Sequence, residues 1–279
     1  MNSSICALAL LFASTQIYAD TWCTHEAERS ANLDVSGARK IVIQTGAGDL
    51  KVRGSSTQAN VTASGRTCAS SDELLQQSQL ESRRDGDVLY LKTVLPETNG
   101  NFFAFHSYAR MDLSVTLPAS LNVELEDSSG DVDLENVAAA SVNDGSGDLD
   151  IRNIARDLKV ADSSGDVDID HVTGNLSVTD SSGDLHLEHI QGSVEIPIDS
   201  SGDIRISDVG SVHISSDSSG DIVVQRVKLD VRVDVDSSGD IVAEDVGGNF
   251  TVQSDGSGGI HHARISGKVQ VPQSKGIED

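Results

Sequence analysis

One five-residue phrase governs what this chain can fold into. Asp-Ser-Ser-Gly-Asp, or a close variant, begins at Asp127, Asp144, Asp162, Asp180, Asp199, Asp217 and Asp236, and degrades to Asp-Gly-Ser-Gly-Gly at Asp255. Its glycines are Gly130, Gly147, Gly165, Gly183, Gly202, Gly220, Gly239 and Gly258, spaced 17, 18, 18, 19, 18, 19 and 19 residues apart. So constant a period marks a repeat architecture, in which each unit buries its apolar row only against its neighbours.

Aligned on that glycine, the copies fall into columns. Two residues after it stand Val132, Leu149, Val167 and their successors; four after it, Leu134, Ile151 and Ile169; seven after it, Val137, Ile154 and Val172. Polar residues fill most positions between, and a second alternating run follows, as in Leu158/Val160 and Leu176/Val178. Alternation with period two among branched aliphatic residues predicts half-buried strands. Stacked at the ~4.8 Å strand spacing, eight units would run roughly 35–40 Å. The predicted fold is all-β: a parallel β-solenoid (β-helix) with coils of about 18 residues over 121–270. A more irregular N-terminal β portion with one short helix precedes it over 20–120. An aliphatic coil interior also fits a composition that is 37% hydrophobic but only 3% aromatic.

The corner phrase has a structural reading. Asp first and Gly fourth is a type I turn signature, and glycine supplies the left-handed φ. The leading Asp is expected to accept backbone N–H bonds, the serines to link coils hydroxyl to hydroxyl, and the acidic corners to line up outside. The competing reading is calcium, because Asp and Gly repeating down a β-roll are the ligands of secreted nonapeptide repeats. Charge favours it. Residues 20–120 hold 12 acids and 10 bases, net −2, whereas residues 121–279 hold 32 and 10, net −22, so nearly all of the −24 sits on the repeats. Against it, the Gly-Gly-x-Gly-x-Asp spacing is absent and serines replace the second ligand set. No cofactor is predicted, with calcium kept as the alternative.

Six residues after the glycine the column reads Asn136, Asn153, His171, His189, Asp208, Arg226, Asp245, Arg264. His171 and His189 are therefore expected on adjacent coils, with Asp168, Asp170, His186 and Glu188 near them. These are the donor types of a divalent transition-metal site; the plainer reading is a solvated face where histidines break up carboxylate repulsion. Facing carboxylates would also suit a polysaccharide-active β-helix. Every coil has them, however, the repeats hold one aromatic, Phe250, and no insertion is long enough to wall a cleft. No nucleophile elbow, P-loop, paired CxxC or HExxH motif occurs, so no catalytic residue is assigned.

In the N-terminal portion, strands are expected around an imperfect corner, Thr45-Gly-Ala-Gly-Asp49. Ser70 with Glu73 forms a capping-box pattern opening a helix over 72–77. A hairpin follows from 79–83 to 88–93 across Asp85-Gly86. The segment 96–110 reads as a loop carrying Phe102, Phe103, Phe105 and Tyr108, four of the seven aromatics after residue 19. It is expected as a plug over the solenoid's open end or as a contact tip. Residues 1–19 carry no charge, are apolar over 5–12 and end in Ile17-Tyr18-Ala19, which reads as a secretory signal peptide. The two cysteines that remain, Cys23 and Cys68, are expected as a disulfide in an oxidising compartment; the alternatives are free thiols or a metal site with His25. Residues 271–279 read as a tail. No apolar run approaches the ~20 residues of a transmembrane segment, and the excess of acid weighs against a nucleic acid partner.

The stretch Lys40-Ile-Val-Ile-Gln-Thr-Gly-Ala-Gly-Asp-Leu-Lys-Val-Arg-Gly54, then Leu113-Ser-Val-Thr-Leu-Pro118 leading into the Ser-Ser-Gly-Asp coils, resembles the bacterial "putative adhesin" family over most of residues 38–270. Its members are β-strand-repeat proteins otherwise known as a domain of unknown function. The resemblance implies an exported envelope protein and carries over no binding residue. The expected function is an exported, acidic, non-enzymatic scaffold that binds an unidentified envelope or surface partner in the periplasm, at the cell surface or outside the cell. The alternatives are the polysaccharide-active enzyme and a calcium-stabilised repeat module.

Overall fold

The computed structural model describes residues 23–96 and 107–272. The expected signal peptide, Phe102, Phe103, Phe105 and the last seven residues lie outside the described residues. The alternating runs do become strands. β1 (His25–Asp34), β2 (Lys40–Gln44), β3 (Leu50–Ser55) and β4 (Asn60–Ala69) precede a helix, α1 (Asp72–Gln77); β5 (Gln79–Asp85), β6 (Val88–Val94) and β7 (Ala109–Pro118) follow it. From β8 (Asn122–Glu126) and β9 (Val132–Val137) onward, strands come in pairs, one member in each of two 12-stranded sheets, ending with β22 (Phe250–Asp255), β23 (Ile260–Ile265) and β24 (Val269–Gln270). The result is a parallel β-solenoid with two strands and two corners per coil.

Register follows the sequence columns. Val132 stands opposite Leu149 and Leu149 opposite Val167; Leu134, Ile151 and Ile169 do the same. All are buried, as are the second-sheet pairs such as Leu158/Val160 and Val231/Val233. Each aliphatic side chain so removed from water contributes roughly 1.5–3 kcal/mol before the entropy of ordering is set against it.

The odd spacing of the inward columns (two, four, then seven residues after the glycine) has a backbone cause. The residue six after it is left-handed in every coil, with φ between 53° and 61° from Asn136 to Arg264. Pairing skips this residue: Arg152 stands opposite Asp170 and Ile154 opposite Val172. It is a bulge, so two successive side chains point outward before the third turns in again. Asn, Asp and His tolerate this conformation best among residues with a side chain.

At the other corner glycine is required twice over. Gly165 has φ 133°, and a Cβ placed on it would lie 1.9 Å from the carbonyl oxygen of Gly147 one coil below. The corners touch backbone to backbone.

The order of coils in the stack departs from chain order. In one sheet the sequence of neighbours is β1-β4-β7-β3-β9, and in the other β8-β2-β6-β5. The first coil to form along the chain, β2–β3, thus sits between β6–β7 and β8–β9. The imperfect Thr45–Asp49 corner belongs to the solenoid proper, and backbone bonds to the first Asp-Ser-Ser-Gly-Asp corner continue the stack there, Thr45 N donating to Glu126 O at 2.9 Å and Gly48 N to Ser129 O at 3.1 Å. Beyond β6–β7 the direction changes: β4 pairs β7, β1 pairs β4, and β5 pairs β6, all antiparallel. These strands cover the parallel edges at that end.

Two local expectations are corrected. The N-cap of α1 is Ser71, whose hydroxyl accepts from Leu74 N at 3.3 Å, while Ser70 Oγ accepts from Tyr108 N at 3.1 Å. The corner serines do not bond hydroxyl to hydroxyl. From Ser146 to Ser238 the second serine donates to a backbone carbonyl of the coil below, as Ser182 Oγ does to Ser163 O at 3.1 Å, because that carbonyl has a lone pair left over at the turn.

Candidate functional site

The corner phrase builds two aspartate columns with opposite surroundings. The second Asp of each phrase points outward, and one of its oxygens accepts the amide of the equivalent residue one coil on. Asp166 N donates to Asp148 Oδ1 at 3.1 Å, Asp184 N to Asp166 Oδ1 at 2.9 Å, Asp203 N to Asp184 Oδ1 at 2.9 Å, and Asp240 N to Asp221 Oδ1 at 2.9 Å. Charge-assisted bonds of this kind offset the repulsion of carboxylates one strand spacing apart. They also fix the orientation of the row; Arg205 takes the second oxygens of Asp184 and Asp203, at 3.5 and 2.7 Å.

The leading Asp column lies inside, which overturns the expectation that all acidic corners face out. Asp180, Asp199 and Asp217 are 0% exposed, and Asp127, Asp144, Asp162 and Asp236 no more than 6%. The cause is the alternation itself: Leu158, Val160 and Asp162 are successive inward positions, as are Leu176, Val178 and Asp180. In later coils one extra residue precedes the Asp, and it is pushed out, which is why Ile198 is 52% and Val235 42% exposed. No hydrogen bond of good geometry reaches either carboxylate oxygen of Asp144, Asp162, Asp180, Asp199, Asp217 or Asp236. Burial, and then the charge of the neighbouring rung, pushes Asp199 and Asp217 up to about 6 and Asp236 up to about 7. The amides of the following serines pull this back only in part. The column is a buried file of weak acids that keeps its protons far above the ordinary carboxylate range.

A third feature is the histidine pair. β13 (Val167–Val172) and β15 (Leu185–Ile190) are adjacent in one sheet. The bulge at His171 brings Asp170 and His171 out side by side, and the bulge at His189 places the second imidazole one coil along. The rings stack with centroids 4.6 Å apart and 23° between planes. Both aim Nδ1 at the same atom, Asp170 Oδ1, at 2.7 Å from His171 and 2.8 Å from His189. Burial alone would raise the Asp170 carboxyl, but the two imidazoles hold it below its ordinary value. The other predicted members are not gathered in. Asp168 and His186 pair in register on the neighbouring outward row, and Glu188 accepts from Ser207 Oγ at 2.8 Å and lies 3.3 Å from His186 Nε2.

Cys23 and Cys68 form a disulfide, with 5.5 Å between Cα atoms, joining β4 to the residues before β1. His25 is not its neighbour in a metal site; its Nδ1 lies 2.7 Å from Asp72 Oδ1. Tyr108 packs at the same end, its carbonyl accepting from Ser70 N at 3.0 Å and its hydroxyl 3.4 Å from Thr24 Oγ1. One feature carries no motif in the sequence: a shallow depression of about 330 Å³ lined by Gln44, Glu81, Ser82, Arg83, Tyr90 and Lys92, where the Arg83 guanidinium sits 3.6 Å over the Tyr90 ring. Strand pairing, which makes Arg83 face Tyr90, creates it.

Among the described residues no helix is long and apolar enough to cross a membrane. No curated protein matches the chain. Solved structures resemble it at low identity. A "putative lipid binding protein" from Parabacteroides distasonis is 16% identical, with a TM-score of 0.52 over 90% of this chain and 98% of that one. A "putative adhesin" from Bacteroides fragilis is 14% identical, with a TM-score of 0.45 over 89% and 98%. A "putative cell adhesion protein" from Clostridium sporogenes is 14% identical, with a TM-score of 0.36 over 88% and 100%. The family described as Toastrack DUF4097 matches residues 38–273, from the first coil along the chain to the last, and this chain belongs to it.

Proposed function

We propose that the protein is an exported, non-enzymatic scaffold whose acidic solenoid face binds a partner of the bacterial envelope or cell surface. The observation that carries this reading is the anchored row of outward aspartates. Carboxylates held by the next coil's amide lose little freedom on binding, and such preorganisation is what makes a flat, repetitive surface an effective binder. Leaving out the seven buried leading aspartates, the formal −22 of residues 121–279 becomes −15, which still gives that surface a field that draws cationic groups and excludes phosphate backbones. The secretory pattern at residues 1–19 supports export, as does the Cys23–Cys68 disulfide, because disulfides persist in oxidising compartments. The lipid-binding description of the Parabacteroides distasonis neighbour agrees with a surface role.

The test uses the mature chain and isolated envelopes. Saturable binding, competed by unlabelled protein and weakened by Asp148→Lys with Asp166→Lys in the anchored row, is the expected result. Absence of saturable binding overturns the reading. So does release of sugar from envelope polysaccharide that Asp168→Asn or Asp170→Asn abolishes, since that outcome makes the protein an enzyme. Export is tested separately by fractionating cells that express the full chain, with a mature N-terminus at Asp20 expected in the exported fraction.

A further inference from the structure

We propose that Asp170, His171 and His189 form a three-ligand site for a divalent transition ion of the zinc class, on the bulged outer edge of β13 and β15. The inference is independent of the partner-binding role above. One oxygen and two nitrogen donor atoms, each able to ligate, lie within 4.8 Å of one another. Two neutral imidazoles and one carboxylate are a ligand set that suits zinc, copper or nickel, while calcium and magnesium prefer oxygen alone.

The geometry is what separates this cluster from a merely solvated acidic face. Elsewhere along the same column an arginine supplies the neutralising charge: Arg226 sits 2.8 Å from Asp208, and Arg264 reaches Asp245 at 2.5 Å and Glu244 at 3.1 Å. Here two imidazoles converge on a single oxygen instead of each taking its own carboxylate. In a tetrahedral site with bonds of about 2.0–2.1 Å the donors stand roughly 3.4 Å apart. The observed 2.7 and 2.8 Å therefore need only about 0.6 Å of opening, within the reach of exposed side chains. Each neutral ring would carry its proton on Nε2, freeing the Nδ1 lone pair for the ion. The backbone does the positioning: left-handed φ of 61° at His171 and 54° at His189 repeats the same outward direction on adjacent coils. Three protein ligands leave a fourth position for water or for a donor group from a bound molecule.

Cobalt(II) is the probe, added to the tag-free mature chain in high salt so that diffuse attraction to the acidic surface is screened. The expected result is one cobalt per chain with a visible d–d absorption band, displaced by zinc and left unchanged by excess calcium or magnesium. His171→Asn and His189→Asn are the informative variants, because Asn136 and Asn153 already occupy this column with the same left-handed backbone. Each should keep the wild-type melting temperature and lose cobalt affinity by about tenfold or more, the lower figure being what even outer-shell changes cost a metal site. Asp170→Asn should do likewise. Absence of the band, or a band that survives both histidine variants in folded protein, overturns the proposal.

Discussion

The cap and the solenoid are built from the same strands by different rules. β1 and β4 are ten residues long, antiparallel and tied by a disulfide and by ion pairs such as Arg66 to Glu26 at 2.6 Å. The coil strands from β8 to β23 are four to seven residues long, parallel, and tied by rows of identical groups repeated at every step. A cap strand depends on particular partners, so single contacts matter there. A coil depends on being the same as its neighbours, so a misfit is felt by the coil above and the coil below. The periodic part also cannot end itself, since every parallel strand presents an unpaired edge. Antiparallel β1, β4 and β5 cover one end; at the other, the inward columns decay to half-buried Ile260 and Ile265 on β23.

Glycine substitution breaks this contrast most sharply. Gly165→Ala drives a Cβ into the backbone of the coil below and is expected to cost about 4 kcal/mol or more. Gly86→Ala, in the cap hairpin at φ 58° with nothing within 4 Å of the new Cβ, should cost only about 1 kcal/mol. Denaturant unfolding of the two variants measures the difference, and equal costs would refute backbone-to-backbone stacking at the corners. Next in size, replacing both Cys23 and Cys68 by Ser should cost about 2–4 kcal/mol. Hydrogen exchange should then quicken in β1 and β4 while β13 and β15 stay protected.

The buried aspartates predict an effect of opposite sign. An unfolded aspartate titrates near 3.9, whereas Asp199 and Asp217 in the folded chain do so at about 6 and Asp236 at about 7. The folded state binds protons more tightly, so its advantage is complete below about pH 4 and is lost as pH rises through 6 to 7. The free energy of unfolding should therefore fall between pH 5 and pH 8 by on the order of 1 kcal/mol for each rung, and the melting temperature with it. Asp199→Asn, neutral at every pH, should stabilise the protein at pH 8 by about 1 kcal/mol and flatten that slope; a steeper or unchanged profile would show that the column is not what titrates. The smallest effect is expected outside, where Asp184→Ala removes the acceptor for Asp203 N. Its cost should be about 0.5–1.5 kcal/mol, with no change in the pH slope near neutrality.

Much of the site could be read before the fold was known. The column six after the glycine placed His171 beside His189, because a fixed period makes sequence offset into spatial neighbourhood. The same logic applied to Leu158, Val160 and Asp162 shows the inward aspartates, which follow the apolar residues at the interval of two; what hides them is that a carboxylate is assumed to seek water. Sequence alone could not say that Asp170 receives both imidazoles while Glu188 turns to Ser207. Those choices depend on side-chain reach at a bulge.

What the amino-acid order determined by itself is the coil: its period, its inward columns, its glycine corners and the covalent spacing that makes two strands per turn. These are local properties, set by alternation and backbone permissiveness within about 18 residues. The stacking order was decided only in three dimensions. Every coil offers the same edge of N–H and C=O groups, so no local signal tells β2–β3 to lie between β6–β7 and β8–β9. That arrangement comes from the cap, whose long antiparallel strands, disulfide and hairpin carry the chain out to one end and return it across the first coil before the repeats begin.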